Sequence, residues 1–463
     1  MRESRRGNLA ALFLSIDGRA GCSITSTPMS DAARAVRIGL LGCGTVGGGV
    51  VRLLQANAAS FAARVGAPLE IARVLVRSKE KERVAELSRS LLTTNADDLF
   101  GDPDIDVFVE VMGGIDPAHA YIDRALDRSC SVVTANKMLL ALHGPALIDR
   151  ALERSVDLAF EGSVGGGIPV VRVLRDACAS DRILRLTGIV NGTSNYILTA
   201  MSQTGMTFAA ALADAQKKGY AEADPALDIG GHDAAHKLAI LAMVAFGARV
   251  PEGSIPTEGV DRIDAVDHVF AARFGFVLKH LAIARRSGDG IALRVHPALL
   301  RRGTTLAHVD GVLNAIALEG EALGPCILSG RGAGDMPTAV SVVSDLLDVA
   351  RARRFGAAGL LTRGVHRSTA RIVPLEGQTR FYLRFAVIDR PGVLARIARA
   401  LGDADVSIEQ VVQERPAEGS SDPVQIVMLT HEAAERDVQR AIAEIRKQEF
   451  LVGAVQLLRV EES

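Results

Sequence analysis

Residues 36–47 read Val-Arg-Ile-Gly-Leu-Leu-Gly-Cys-Gly-Thr-Val-Gly, an apolar run that ends in Gly42, Gly44 and Gly47. A continuous apolar run is how a parallel strand buried on both faces reads. The GxGxxG spacing then gives each glycine a task. Gly42 permits a tight turn, Gly44 lets a pyrophosphate approach the backbone, and Gly47 lets the next helix pack on the strand. Thr45 and Val46 open that helix, whose first amides face the phosphates. The motif predicts a dinucleotide site. The alternative, a simple packing turn, fits the strand-to-helix setting less well.

Working outward, strand-like runs follow at 69–76, 105–112, 130–135 and 156–162, separated by helical stretches at 117–128 and 138–154. This alternation predicts an α/β, Rossmann-type parallel sheet over residues 36–165. A helix at 335–354, within a returning segment 325–354, is expected to pack back on it. Residues 166–324 change character. Helices at 195–204, 207–218 and 233–247 precede strands at 276–286, 290–296 and 311–320, an α+β domain with an antiparallel sheet. Residues 355–378 read as a linker. Residues 379–463 form a β-α-β-β-α-β series, the ferredoxin-like order, with helices at 391–401 and 433–447 and a last strand from Phe450. Residues 1–35 read as a disordered extension, with Met29 as a second candidate start.

Composition narrows the function class. The 463 residues are 48% apolar and 23% charged, with 53 basic against 54 acidic side chains. That balance lacks the basic footprint of a nucleic-acid binder. The longest apolar stretch, Leu238–Ala248, is too short to span a bilayer. The five cysteines form no CxxC pair, so reduced thiols in a cytoplasmic protein are expected. Glycine is in excess, 45 residues against an average near 7%, and most of the chemistry lies where it clusters.

At the end of the second strand, an acid would hold the ribose hydroxyls of NAD. The sequence has Arg77-Ser78-Lys79 instead, which suits the extra phosphate of NADP. NADP(H) is therefore preferred, with NAD(H) still open. Gly113 and Gly114 end the next strand beside the expected nicotinamide. Lys137 ends the fourth predicted strand and points to the crevice, unless it is an ordinary surface charge. The loop Glu161–Pro169 exposes several carbonyls and fits either a hard cation or a hinge. The densest constellation runs from Ala215 to Lys237 and holds Glu222, Asp224, Asp228 and Asp233. Asp233 and Lys237 are i,i+4 on one helix face, normally a surface ion pair. Yet Lys237 opens a helix that is apolar nearly all round and so should be buried. An ammonium in early helical turns opposes the macrodipole, and a buried one needs paired carboxylates. The pattern predicts a proton donor with orienting partners.

These residues carry a resemblance. Ala215, Gly219, Asp224-Pro225, Asp228-Ile229, Gly231, Asp233 and Lys237 match, without a gap, the signature of homoserine dehydrogenases of the monofunctional bacterial type with a C-terminal ACT domain. Asn191-Gly192-Thr193-Ser194-Asn195 and Gly330-Arg331-Gly332-Ala333-Gly334 resemble further family segments. The resemblance implies reversible reduction of aspartate semialdehyde to homoserine by NAD(P)H. It makes Lys237 the proton donor and Lys137 a contact to cofactor and substrate. It assigns substrate binding to Gly219, Glu222, Asp228, Asp233, Asn191 and Thr193, and a cofactor contact to Gly332. It turns the Glu161 loop into a monovalent-cation site, Na⁺, through oxygens of Glu161, Val164, Gly166 and Ile168. It makes residues 166–324 the substrate and dimerisation domain of a homodimer or homotetramer. Asp389 and Gly392 fall where an ACT domain binds a regulatory amino acid, here threonine, unless the domain only dimerises.

Overall fold

The run that opens the reading becomes strand β1 (Val36–Leu41), with Leu40 and Leu41 fully buried. In the computed structural model, residues 34–365, 370–375, 377–414 and 423–462 are described. The expected extension 1–35 therefore lies almost wholly outside the described residues. β1 is joined by β2 (Leu69–Leu75), β3 (Leu92–Thr93), β4 (Val107–Glu110), β5 (Ser131–Thr134) and β6 (Leu158–Ala159). All pairings are parallel, in the order β3-β2-β1-β4-β5-β6. The direction of winding reverses between β1 and β4, and ligands of such sheets bind at the carboxyl ends beside that switch.

The short β3 was not foreseen, so the strand before Lys137 is the fifth, not the fourth. The last strand is also shorter than read: β6 stops at Ala159 and Glu161–Ser163 turn tightly. The first helical stretch breaks at Asn57 into Thr45–Ala56 and Ala58–Val65. The helix Asp335–Arg354 buries Ala339, Val342, Leu346 and Val349 against Val50, Val51 and Leu54. Contact is so close that a Cβ on Gly49 would lie 2.8 Å from that of Ala339.

The second sheet differs most from expectation. β7 (Ile183–Ile189), β8 (Phe276–Ser287), β9 (Gly290–Arg301), β10 (Leu313–Gly320) and β11 (Gly324–Arg331) form its first half. β12 (Arg371–Val373) runs parallel to β9, and β13 (Gln378–Thr379) pairs with β17 (Ala433–Ala434). The stretch read as a linker thus supplies strands and a helix, Leu360–Arg363. β14 (Phe381–Val387), β15 (Ile408–Gln413), β16 (Val424–Thr430) and β18 (Gln456–Glu461) take the ferredoxin-like order β18-β14-β16-β15.

This C-terminal unit does not stand apart. β18 pairs in parallel with β9 through Arg459↔Ala298, Val460↔Leu299 and Glu461↔Leu300, giving one ten-stranded mixed sheet. Ion pairs clamp the seam. Arg294 reaches Glu435 at 2.7 Å, Arg459 reaches Glu258 at 2.8 Å, and Arg384 and the Tyr382 hydroxyl both donate to buried Asp267. The last strand begins at Gln456, not Phe450, because Gly453 turns with φ +81°. Among the described residues, no helix is long and apolar enough to cross a membrane.

Candidate functional site

The glycine loop has the geometry its spacing predicts. Gly42 sits at φ +95°, and a Cβ on Gly47 would lie 2.6 Å from the Gly42 carbonyl oxygen. Nothing lies within 4 Å of where a Gly44 Cβ would be, so the backbone is open there, at the N-terminus of Thr45–Ala56. Gly113 and Gly114, both at positive φ, also leave room after β4: nothing lies within 4 Å of a Gly113 Cβ, and only Asp116 O, at 3.9 Å, near that of Gly114. Arg77 is exposed in the turn after β2.

One residue here escaped the sequence reading. Arg83 donates to the carbonyl of Cys43 in the glycine loop and, at 3.0 Å, to that of Ser78. It ties the glycine loop to the turn after β2.

Lys137 begins the helix Lys137–Glu153, which is capped by Asn136. The Asn136 side chain accepts from Leu139 N at 3.2 Å and donates to Gly114 O at 2.6 Å. Beneath it, fully buried Glu110 accepts from the Thr134 hydroxyl at 2.6 Å and from Met112 N at 2.7 Å. Burial pushes the Glu110 carboxyl upward, and these hydrogen bonds oppose it. Glu110 and Asn136 thus fix both the Gly113-Gly114 turn and the start of the Lys137 helix. Glu110 was hidden in sequence because it continues an apolar strand.

Lys137 crosses to the second half of the site and meets Asp233 Oδ1. Asp233 lies in the first turn of the helix His232–Phe246 and is 4% exposed. Its other oxygen accepts from Lys237 Nζ at 2.7 Å and from Asn191 Nδ2 at 2.8 Å. Lys237 is buried, as its apolar helix implied, and also donates to Val190 O at 2.7 Å. An ammonium has three protons, so one remains uncommitted.

The electrostatics follow from two cations sharing one anion. Burial pushes the Asp233 carboxyl up, but the Lys237 and Lys137 ammoniums outweigh it and hold the group well below the usual range. For Lys237, burial wins and lowers its pKa, only partly offset by Asp233. A buried ammonium that releases its proton more readily is what a general acid near neutral pH requires.

Asn191 organises the remaining acids. It caps the helix Gly192–Thr204 by accepting from Ser194 N, and its amide donates to Asp228 Oδ1 and Asp233 Oδ2, both at 2.8 Å. The Thr193 hydroxyl donates to Tyr220 O at 2.8 Å and so positions the Gly219 turn, which sits at φ +75°. The acid cluster divides in two. Asp224 turns away and caps the next short helix by accepting from Ala226 N. Glu222 is exposed, and its carboxylate carries no hydrogen bond or ion pair among the described residues.

The Glu161 loop is buried from Glu161 to Gly166. The Glu161 carboxylate accepts from Val171 N at 2.8 Å and Arg172 N at 2.7 Å, while its own N–H donates to Asp345 at 2.7 Å. Burial and the neighbouring Asp345 carboxylate push the Glu161 carboxyl up to about 7. Gly166 O accepts from the Ser341 hydroxyl at 2.6 Å, and Ile168 O accepts from Val170 N at 2.8 Å. Val164 is fully buried between them. The loop touches the predicted cofactor glycine: a Cβ on Gly166 would lie 2.7 Å from Gly332 O. Gly332 in turn admits the side chain of Asn314, which is buried with both amide atoms unpartnered. Among the described residues, no group of three or more His, Cys, Asp or Glu side chains could hold a metal ion.

In the C-terminal unit, Gly392 caps the helix Val393–Asp403 at φ +88°, with open space where a Cβ would be. Asp389 is exposed two residues before Pro391. The helix starts at Val393, so Pro391 precedes the cap rather than opening the helix.

Known proteins resemble this chain along most of its length. The homoserine dehydrogenase NAD-binding-domain model matches residues 42–161, the homoserine dehydrogenase model residues 169–347, and the ACT domain model residues 381–450. The chain is similar to the homoserine dehydrogenase of Pseudomonas aeruginosa, 39% identical over 93% of this chain and 99% of the relative. It is 40% identical to that of Mycobacterium leprae over 92% and 98%. The crystal structure of a homoserine dehydrogenase from Thiobacillus denitrificans superposes with a TM-score of 0.85 at 41% identity, covering 93% of this chain and 99% of that one. A hyperthermophilic archaeal homoserine dehydrogenase in complex with NADPH gives a TM-score of 0.59 at 27% identity, covering 68% and 97%. With this identity sustained across whole relatives, the chain belongs to the homoserine dehydrogenases, NAD(P)-dependent oxidoreductases, and carries a C-terminal ACT domain.

Proposed function

We propose that the chain reduces aspartate semialdehyde to homoserine with Lys237 as the proton donor. The carrying observation is the Lys137–Asp233–Lys237 cluster, in which one buried carboxylate holds two ammoniums at the mouth of the dinucleotide crevice. The bound nicotinamide supplies the hydride. Lys237 then gives its proton to the carbonyl oxygen, where negative charge develops. Lys137, with a side chain 45% exposed against 9% for Lys237, is placed to polarise that oxygen and touch the cofactor. The free Glu222 carboxylate and the Gly219 backbone take the amino-acid end of the substrate. Asp228 and Asp233, both held by Asn191, complete the ammonium network, with Thr193 steadying the turn.

NADP(H) is the preferred cofactor, supported by exposed Arg77, which stands where an acid would hold the NAD ribose. The dinucleotide phosphates fall to Gly42, Gly44, Thr45, Val46 and Gly47, and the nicotinamide side to Gly113, Gly114 and Gly332. A monovalent cation, Na⁺, suits the Glu161 loop. The donors are oxygens of Glu161, Val164, Gly166 and Ile168, and a cation would offset the crowding of Glu161 against Asp345. Threonine is the proposed effector at Asp389 and Gly392, where the open backbone leaves room for an amino acid. The unpaired state of the described cysteines supports a reducing, cytoplasmic setting, and the assembly is a homodimer or homotetramer.

One steady-state assay with NADPH and NADH, with and without threonine, tests these points together. Lys237→Ala is expected to bind cofactor normally and to lose about 10²–10⁴-fold in kcat. Near-normal turnover would sink the assignment, and full activity in saturating threonine would remove the effector.

A further inference from the structure

The helix that carries Lys237 ends in a second charged environment, which the reaction does not use. Val244 and Ala245 line a cavity of about 450 Å³ together with Arg175, Arg182, Arg286 and Arg363. Cavities of this size hold small molecules. Asp181, the one acid lining it among the described residues, turns both oxygens to backbone amides of Arg182, Ala322 and Leu323.

The four guanidiniums are unevenly served. Arg175 is taken by Asp176 through two bonds of 2.7–2.8 Å. Arg182 reaches Glu321 only at 3.9 Å, with both side chains more than half exposed. Arg286 donates from Nε to Ile183 O at 2.9 Å and lies over the Phe246 ring. Neither Arg286 nor Arg363 has a carboxylate within ion-pair distance among the described residues. The crowding is felt, since burial and the neighbouring Arg182 push the Arg286 guanidinium below its ordinary value. The wall is also shaped for arginine. A Cβ on Gly364 would lie 3.0 Å from Arg175 Cγ, so the glycine gives that stem room.

We propose that this cavity binds the phosphate group of a small molecule, with Arg286 and Arg363 as its principal ligands and Arg182 beside them. Several guanidiniums facing one cavity call for more than one negative charge. Their planar forks suit phosphate oxygens in pairs. The source is either free phosphate or a small phosphomonoester.

The test is calorimetric titration of the full chain at constant ionic strength, with saturating NADP⁺ filling the glycine loop. Inorganic phosphate and glycerol phosphate are the two arms. Saturable binding is expected, weakened about tenfold or more by Arg286→Met and by Arg363→Met. Tighter binding of glycerol phosphate assigns the site to a phosphomonoester, and equal binding assigns it to free phosphate. Arg363 is exposed and carries no ion pair among the described residues, so Arg363→Met keeps the test informative if Arg286→Met misfolds. No saturable binding in either arm, or binding unchanged in both variants, overturns the proposal.

Discussion

Asp233 and Glu161 are both deeply buried, yet their carboxyl groups are driven in opposite directions. Asp233 faces two ammoniums and is held far below the usual range; Glu161 faces Asp345 and is pushed up to about 7. Burial acts alike on both, so the partners decide. At Asp233 two ammoniums outweigh burial, while burial itself lowers the pKa of Lys237. At Glu161 the surplus is negative and calls for a proton or a cation.

The strongest way to break this contrast is Asp233→Asn. It leaves Lys237 buried without its counter-ion, and removing one member of a buried pair costs about 3–5 kcal/mol. Denaturant unfolding should show that loss, with turnover falling alongside. The wild-type contribution of Asp233 is complete above the unfolded carboxyl pKa and disappears on acidification. A variant as stable as the wild type at neutral pH would mean that the two lysines do not depend on Asp233.

The Glu161 side should behave in reverse. Its folded pKa is raised from 4.5 to about 7, and that of Asp345 from 3.8 to about 6. The folded chain therefore holds extra protons in the windows between these values. Their contribution is fully present below the unfolded pKa and is lost as pH rises through the folded one. Asp345→Asn should flatten that decline by about 1–2 kcal/mol. Sodium should do the same in the wild type when compared with tetramethylammonium at equal ionic strength. Melting curves across this range, equally steep in variant and wild type, would show that Asp345 is not what raises Glu161.

The smallest effect concerns Glu110, a buried carboxyl with neither an ammonium nor a second acid among its main influences. Thr134→Val removes a 2.6 Å hydrogen bond to it, together with the 3.0 Å bond that the Thr134 hydroxyl accepts from Asn136 N. This should cost about 1 kcal/mol and reduce kcat more than it changes KM, since Glu110 acts through the Lys137 helix. A variant with unchanged kcat would confine Glu110 to the fold.

Much of the site could be read from residue order because it rests on local conflicts. A lysine early in an apolar helix, with acids ahead of it, is an anomaly that only pairing resolves. The glycine loop is legible for the same reason, since each glycine answers a close approach. Residues whose roles come from distant partners were not legible. Arg83 reaches the glycine loop from another turn, and Asn314 lies against Gly332 across a sheet. β11 was missed because Gly324, Pro325 and Gly330 read as turn, and an edge strand tolerates them. β7 was missed because Arg185 and Thr187 interrupt its apolar run, although Thr187 is buried.

The parallel ladder between β9 and β18 would limit how a signal from the proposed effector travels. Two bodies joined by a flexible tether can swing as a hinge. Here the ACT strands and the strands behind the helix that carries Lys237 share one hydrogen-bonded fabric. A rigid swing would tear three ladder positions and the Arg459–Glu258 and Arg294–Glu435 ion pairs. What remains is a change in twist or bend across the seam. Such a change would reach the loop at Glu258, where nearby Val260 N donates to Ile229 O, next to Asp228.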